Sequence, residues 1–336
     1  MRTLALPAVM AAFLGTATAA GAAEYAVGQG LVPARNFQPI QGLSLQLPGE
    51  AAIPVKRGEL SVRADVAETA TVLQDVTPTV TAVIKMNQLR SALTIRYGIL
   101  DNTEVGLELA SLYHHSGALD GLIRAAERLF GREDHTRERL KHTGFAYVLT
   151  RNGQTVLQGT NGAVGLADAV LHAKSLLVAE GPYAPATALR LAVKVPLGDR
   201  SRAFGTGVID LGMGVALQKT VWDRMILYVN ANGILPTGRY LGFPLRAYFT
   251  SVTGVEFMVT PKFSITGQFN YYQSPFRQTG TKVLDKGVTE GVLAFGYRFT
   301  PTFLWQIYGV ENLDFIKGSA ADLTLATVLT YRFSSG

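Results

Sequence analysis

The sequence predicts an all-β protein: a transmembrane, antiparallel up-and-down β-barrel of about 12 strands with one helical extracellular loop. Three observations predict this fold. Apolar and polar residues alternate with a period of two along most of the chain, the connections alternate between short and long, and aromatic residues lie at strand ends. A period of two places successive side chains on opposite faces of a strand, so each strand has one apolar and one polar face.

The composition narrows the class of protein. The chain of 336 residues is 48% hydrophobic and only 17% charged, which is apolar for a water-soluble protein of this size. It contains no cysteine, so disulfide and thiol chemistry are excluded. The formal net charge is +6, but the Lys and Arg residues are spread along the chain and form no basic stripe. We therefore expect no nucleic-acid partner.

Residues 1–23 have the pattern of a signal peptide. Arg2 supplies the positive charge, Leu4–Leu14 form an apolar core, and a stretch rich in small residues follows, with cleavage fitting after Ala23 or after Ala19. Beyond this leader no apolar run approaches the ~18 residues that a membrane-spanning helix requires. The mature protein is therefore expected to be exported. If it spans a membrane, it does so with strands.

Residues 24–57 show no sustained period and are interrupted by four prolines, at positions 33, 39, 48 and 54. We predict an extended periplasmic segment ahead of the sheet. The alternative is a plug that folds back into the barrel, because the segment carries apolar residues that need cover, namely Phe37, Ile40, Leu43, Leu45 and Leu47.

Residues 58–333 are predicted to form the barrel. The alternating stretches lie near residues 60–66, 88–99, 104–109, 168–177, 189–195, 209–218, 224–232, 246–259, 262–271, 290–299, 303–312 and 322–333. The alternation predicts which side chains face lipid (Leu191, Leu211 and Phe269) and which neighbours face water or an ion partner (Arg190, Asp210 and Gln268).

The connections indicate a barrel in an outer membrane. Short connections fall at 100–103, 180–184, 220–223, 259–262 and 299–302, and longer ones at about 70–87, 113–163, 198–206, 236–245, 274–287 and 313–321. Short turns on one side and long loops on the other are typical of such barrels, and both termini then lie on the periplasmic side. Strands of a soluble β-sandwich alternate too, but the loop lengths and the aromatic residues at strand ends favour the barrel.

The long extracellular loop 113–163 contains a predicted amphipathic helix at 118–130. Apolar residues recur there at helical spacing, at Leu119, Leu122, Ile123, Ala126, Leu129 and Phe130. Asp120 favours the first turn and Gly131 ends the helix, and a small hairpin turns at Asn152-Gly153. Such a helix caps the mouth of the barrel, lies on the membrane surface or binds a partner.

The polar face of the strands is strongly ionic. We predict as pore-lining residues Arg63, Arg90, Arg96, Glu108, Asp168, Lys174, Arg190, Lys194, Asp210, Arg224, Glu256, Gln268, Glu290 and Arg298. These side chains form a mixed-charge selectivity lining with a slight preference for small anionic solutes. The alternative is that the charges pair across the barrel and fill it, because about 12 strands enclose much less space than the 16 to 18 of a general porin.

A pair of residues at the end of the third strand raises the alternative of an enzyme. His114 and Ser116 are two residues apart, so both point the same way on a strand. The pair resembles the His-x-Ser of the twelve-stranded outer-membrane phospholipase, but no Asn partner is visible. His135 and His142 lack the spacing of metal ligands. We therefore predict no catalytic residue, no metal ligand and no cofactor, and keep a lipid-acting hydrolase as an alternative.

Three stretches carry a resemblance to a known family: Leu31–Pro39, His115–Gly131 and Asp322–Phe333. In these the chain resembles a family of proteobacterial outer-membrane barrels known only as a domain of unknown function. The resemblance implies the outer membrane of a Gram-negative bacterium, with membrane lipid, lipopolysaccharide and the barrel-assembly machinery as partners. It implies no activity. We expect a non-enzymatic, narrow porin-like channel, with a plugged structural or surface-interaction barrel as a further alternative.

Overall fold

A computed structural model of the chain shows a closed antiparallel β-barrel with almost no helix. The structure describes residues 28–117, 121, 136, 139, 140, 142–313 and 319–333. The predicted signal peptide lies outside the described residues, as does the predicted helix 118–130 apart from Gly121. In the described part of the chain, no helix combines the length and the apolar character needed to cross a membrane.

The described residues form 17 strands. They are β1 Leu60–Val76, β2 Val80–Leu100, β3 Thr103–His115, β4 Ala146–Arg151, β5 Gln154–Gln158, β6 Val164–Leu166, β7 Ala169–Val178, β8 Ala186–Val195, β9 Asp210–Val221, β10 Met225–Pro236, β11 Arg239–Tyr240, β12 Phe243–Pro244, β13 Tyr248–Met258, β14 Phe263–Tyr272, β15 Val288–Thr300, β16 Phe303–Asn312 and β17 Leu323–Phe333. The described helices are short: α1 Lys282–Asp285 and two 3-10 turns, Gln41–Leu43 and Arg200–Arg202.

Twelve of these strands close the barrel, which confirms the predicted fold. Their order around the wall is β1, β2, β3, β7, β8, β9, β10, β13, β14, β15, β16 and β17. The last strand returns to the first in an antiparallel register that runs from Leu60 opposite Phe333 to Ala70 opposite Leu323. Closure leaves the wall without a free edge, and a backbone in lipid requires this because lipid offers no hydrogen-bond partner.

The predicted long connection at 70–87 is wrong. β1 and β2 both continue through it and pair as far as Val76 opposite Thr81, so the turn is short. The alternation of apolar and polar residues is lost there because every residue from 69 to 73 and from 84 to 88 is buried, so both faces of the hairpin are covered. The β4–β5 hairpin covers this extension by pairing with the start of β2. It turns as predicted at Asn152-Gly153, where both residues have positive φ.

The two faces of the wall separate as the alternation predicts. Leu191, Leu211 and Phe269 point outward and are 47%, 44% and 49% exposed. Their neighbours Arg190, Asp210 and Gln268 point inward and are 3%, 0% and 5% exposed. An apolar outer face on every side of a closed barrel is what lipid requires.

Aromatic rings, including Phe299, Phe303, Tyr331 and Phe333, contact one another where the barrel has short turns, as in an interfacial girdle.

Replacement of Leu191 by arginine tests the register. We expect Leu191→Arg to lower the free energy of unfolding by ~2–4 kcal/mol, because a charge at mid-bilayer on the lipid face is costly. The measurement is urea unfolding of protein that has been refolded into lipid vesicles. The matched control is Leu191→Phe, which keeps the site apolar and should unfold like the parent chain. Equal unfolding of Leu191→Arg and the parent would place residue 191 off the lipid face.

Candidate functional site

The interior of the barrel is occupied by the chain's own residues 28–57, which we call the lumen segment. The segment starts at the short-turn end, where the Gln29 side chain donates to the Lys262 carbonyl at 2.7 Å. It bends at the long-loop end, where Tyr147 donates to the Pro39 carbonyl at 2.9 Å. It then returns to the short-turn end, where Gly58 N donates to the Gly98 carbonyl at 2.9 Å. The lumen segment is therefore a U that spans the interior twice.

Side chains of the wall hydrogen-bond to the backbone of the first limb. The Glu256 carboxylate accepts from the N–H groups of Gln29 at 2.9 Å and Gly30 at 3.1 Å. Farther along, Gln268 accepts from Val32 N at 2.7 Å. Prolines and the lack of a strand pattern keep this limb out of the sheet, so its buried backbone groups need side-chain partners.

The returning limb is held in the same way. Asp210 accepts from Leu45 N at 2.8 Å, and Asn230 accepts from Glu50 N at 2.9 Å while donating to the Glu50 carbonyl at 3.1 Å. Near the exit, the Glu104 carboxylate accepts from Val55 N at 2.6 Å. The acceptors of the wall lie next to the N–H groups of the returning limb, and they hold its backbone in this extended path.

The bend of the lumen segment is sealed by apolar residues of the long-loop end. Ile40 and Leu43 are buried there in a cluster that draws on the β4–β5 hairpin and on the loops before β9, β13 and β15. The amide of Gln41 donates to carbonyls around α1, including that of Lys286 at 2.8 Å. All five apolar residues of the segment that were predicted to need cover are at most 7% exposed.

Arg35 carries a positive charge from the first limb into a buried ionic group. It lies 2.9 Å from Glu108, which is also 2.6 Å from Arg90. Arg90 is in turn 2.7 Å from Asp65, and Arg63 lies 3.7 Å from Glu108. The acidic residues of the wall are thereby neutralised jointly by wall arginines and by the lumen segment, as buried charges require.

Glu50 carries a negative charge from the returning limb into a basic group. Its carboxylate lies 2.6 Å from Arg190 Nε, 3.1 Å from Arg96 Nη1 and 3.3 Å from Lys174 Nζ. Glu104 of the wall is the second acidic residue here, 3.2 Å from Lys174 and 3.6 Å from Arg96. Arg190 has the ion partner that the alternation predicted, and that partner belongs to the lumen segment.

A third group fixes the loop between β8 and β9. Lys194 lies 2.6 Å from Asp168 and 3.4 Å from Asp210. Asp168 also accepts from the backbone N–H groups of Leu197 at 3.2 Å and Gly198 at 2.9 Å. Asp168 therefore joins the wall to a long loop, and Asp210 joins the same group to the lumen segment.

All 14 predicted pore-lining residues lie on strands of the wall or beside them, on the polar face. Three ionic groups account for Arg63, Arg90, Arg96, Glu108, Asp168, Lys174, Arg190, Lys194 and Asp210. Glu256 and Gln268 bind the backbone of the lumen segment, Glu290 is buried on β15, and Arg224 and Arg298 are half-buried near the short turns. That they line a conducting pore stays a prediction.

Sequence reasoning missed the two charges that the lumen segment contributes. Arg35 and Glu50 are the only ionisable residues between positions 28 and 55. An isolated charge in an otherwise apolar and amide-rich stretch was the available signal, because such a charge needs a partner when the stretch is buried. Asp65 and Glu104 complete the groups and were also absent from the predicted set.

The lumen is closely packed in this conformation. Asp210, Asn230, Glu256 and Asn270 are 0% exposed, although a water-filled passage beside them would expose their polar atoms. Two cavities adjoin the lumen segment, with volumes of about 50 Å³ and 30 Å³. Spaces of this size hold a few water molecules each. The lumen segment thus fills the interior beside these side chains.

The structure does not assemble a hydrolase site from His114 and Ser116. His114 is fully buried, with its ring 4.8 Å from that of Phe204 and 5.5 Å from that of Tyr147. Ser116 is exposed, and neither ring nitrogen of His114 has a hydrogen-bond partner within the described residues. A nucleophile needs its base within hydrogen-bond reach.

The described residues also contain no group of three or more His, Asp or Glu side chains arranged to hold a metal ion.

The ion pairs of Glu50 can be tested through release of the lumen segment. The chain has no cysteine, and Ser44 is buried at 3% exposure, so Ser44→Cys introduces a single, nearly isosteric thiol. We expect Glu50→Gln to raise the rate of maleimide labelling at position 44 at least about tenfold, because a loss of ~1.4 kcal/mol has that effect and a broken buried ion pair costs more.

The control for this experiment is Gln46→Ala, which removes a buried side chain from the same limb but breaks no ion pair. It should change the labelling rate much less than Glu50→Gln. In a double-mutant cycle, the combined effect of Glu50→Gln and Arg190→Gln should be smaller than the sum of the single effects. Additive effects would show that the two charges do not stabilise each other.

One comparison with a solved structure supports the fold. The crystal structure of the COG4313 outer membrane channel from Pseudomonas putida F1 matches with a TM-score of 0.57 and 10% identity, covering 86% of this chain and 100% of that chain. The NanC porin matches with a TM-score of 0.47 and 9% identity, covering 81% and 98% of the two chains. At 10% identity, the likeness to the Pseudomonas putida F1 channel shows the fold alone. No curated protein sequence matches the chain.

The sequence itself matches one family over nearly its whole length. The profile of the family described as "Protein of unknown function (DUF3187)" matches residues 6–333. The match includes all three stretches that carry the resemblance, the lumen segment and all 12 strands of the wall. The chain belongs to the DUF3187 family of proteins of unknown function.

Proposed function

We propose that the protein is a narrow, porin-like passive channel in the outer membrane of a Gram-negative bacterium, and that the lumen segment controls its opening. One observation carries this proposal: a closed 12-stranded wall with an apolar outer face surrounds an interior of polar and charged side chains. A passage for solutes needs such an interior, whereas a merely structural barrel could be filled with apolar side chains. The similar barrel from Pseudomonas putida F1 is described as a channel.

The proposal includes an orientation. β1 begins and β17 ends at the same edge of the barrel, where the short turns lie. Outer-membrane barrels place short turns in the periplasm and long loops outside the cell. We therefore place both termini in the periplasm, the wall in contact with membrane lipid and lipopolysaccharide, and the sealed bend of the lumen segment at the cell surface. The barrel-assembly machinery is the expected partner during insertion.

Conduction requires that the lumen segment move or leave. The ionic groups of the wall then contain six basic and five acidic side chains, which are Arg63, Arg90, Arg96, Lys174, Arg190 and Lys194 against Asp65, Glu104, Glu108, Asp168 and Asp210. A small excess of positive charge in a narrow, low-dielectric passage favours anions. The expected solutes are therefore small and anionic.

A plugged structural or surface-interaction barrel is the second candidate function. The close packing of the lumen favours it, because the segment is held by hydrogen bonds and ion pairs along its whole length. Neither function involves catalysis, and we propose that the protein is not an enzyme. Single-channel measurements separate the two candidates.

Deletion of residues 28–55 should turn a nearly silent barrel into a conducting one. In planar lipid bilayers we expect rare, small steps from the full chain and frequent steps severalfold larger from the deletion variant. Reversal potentials in a salt gradient should show a slight preference for anions in the deletion variant. The physical reason is that the segment occupies the lumen and supplies one of the carboxylates of its basic group.

The control for the deletion is a change of mobility on heating in gel electrophoresis, which shows that the variant still forms a closed barrel. A variant that passes this control and conducts no ions would contradict the channel function and leave the plugged structural barrel. Conductance equal to that of the full chain would show that the segment does not close the lumen.

A further inference from the structure

The basic group around Glu50 has the geometry of a binding site for a carboxylate. Three cations from three strands of the wall converge on one carboxylate, with Arg190 on one oxygen and the half-buried Arg96 and buried Lys174 on the other. The side chains of Arg190 and Lys174 are only 3% exposed. Such convergence is costly unless an anion completes it, because each unpaired buried cation loses its hydration without compensation.

The wall itself holds this group in place. Lys174 of β7 and Arg190 of β8 lie directly opposite each other in the strand register. Arg190 donates to the side-chain oxygens of Asn230 at 3.0 Å and Asn232 at 3.2 Å, and Lys174 is paired with Glu104 at 3.2 Å. These contacts do not involve the lumen segment, so the cations stay preorganised when the segment leaves.

Departure of the segment leaves an uncompensated charge. Among the described ion pairs within 4 Å, the three cations then keep Glu104 as their acidic partner, which is a local excess of +2. A cavity of about 30 Å³ adjoins the group and is lined by Glu50, Arg96, His172 and Arg190 among others. The site therefore has a charge that attracts an anion and a space beside the carboxylate into which a larger anion can extend.

We propose that Arg96, Lys174 and Arg190 form a carboxylate-binding site for small organic acids, and that Glu50 occupies it as an internal ligand. The role of the site in solute passage rests on the proposed channel function, but binding itself does not. Both oxygens of a carboxylate are used by the three cations. The three cations contact the two oxygens of one planar carboxylate, whereas a tetrahedral phosphate carries further oxygens for which these contacts provide no partner.

Chemical rescue of a truncated Glu50 tests the proposal on the full chain. Glu50→Ala should unfold at a lower temperature than the parent protein in detergent. Acetate or propionate at tens of millimolar should raise its unfolding midpoint by on the order of 2–4 °C, because a ligand that binds the folded state stabilises it. The parent protein should show no such rise, since Glu50 already fills the site.

Four controls make the rescue specific. Acetamide has the shape of acetate without its charge, and phosphate has a different charge and shape, so neither should rescue Glu50→Ala. Gln46→Ala has a truncation in the same limb without an ion pair and should not respond to acetate. The double variant Glu50→Ala with Arg190→Gln should lose the rescue. Rescue by all anions alike, or by none, would overturn the proposal.

Conductance separates failure of this proposal from failure of the channel function. If the variant lacking residues 28–55 conducts but acetate and propionate rescue nothing, the carboxylate site is refuted and the channel stands. If rescue occurs and the variant conducts nothing, the site stands and transport is refuted. Should Glu50→Ala fail to fold, propionate must reduce the conductance of the deletion variant, and Arg190→Gln must abolish that effect; otherwise the site is refuted.

Discussion

The hydrogen bonds between wall side chains and the extended backbone of the lumen segment are the interaction on which the packing of the barrel interior depends. A buried chain that belongs to no sheet leaves its N–H and C=O groups without partners, at a cost of about 1–3 kcal/mol each. Glu256, Gln268, Asp210 and Asn230 supply those partners at successive heights along the barrel. The polar face of the strands therefore supplies hydrogen-bond partners to the backbone of the lumen segment, as it would to water.

Each charged residue of the lumen segment lies beside wall residues of the opposite charge. Arg35 enters a group that contains Asp65 and Glu108, and Glu50 enters a group that contains Arg96, Lys174 and Arg190. In the basic group, Glu50 lowers the excess of positive charge from +2 to +1. In the other group, Arg63 and Arg90 already balance Asp65 and Glu108, and Arg35 of the segment finds its ion partner in Glu108. Buried pairs of this kind contribute little net stability compared with apolar packing, but they specify one arrangement, because any other leaves charges unpaired.

The strand pairing that closes the wall does not prevent solutes from passing through the interior in the proposed channel. The wall is completed by its own strand pairing from β1 round to β17 and does not require the segment for its hydrogen bonds. The segment enters and leaves at the short-turn end, and its bend is sealed by loops at the other end. In the proposed channel, the lumen segment can therefore move without breaking the sheet, and the basic group of Arg96, Lys174 and Arg190 then needs another anion.

The sequence by itself determined the barrel and its 12 strands. The period of two predicted the face of most side chains because it depends only on local backbone geometry, and the loop lengths and strand-end aromatic residues favoured a barrel over a sandwich. The alternation failed at residues 70–87, where burial on both faces of β1 and β2 removed the period. Only the tertiary structure decided where the segment before the barrel lies and which charges meet. Glu50 and Arg190 are 140 residues apart, and nothing local relates them. Their pairing exists because closure of the sheet creates an interior that a charged, proline-containing segment can enter.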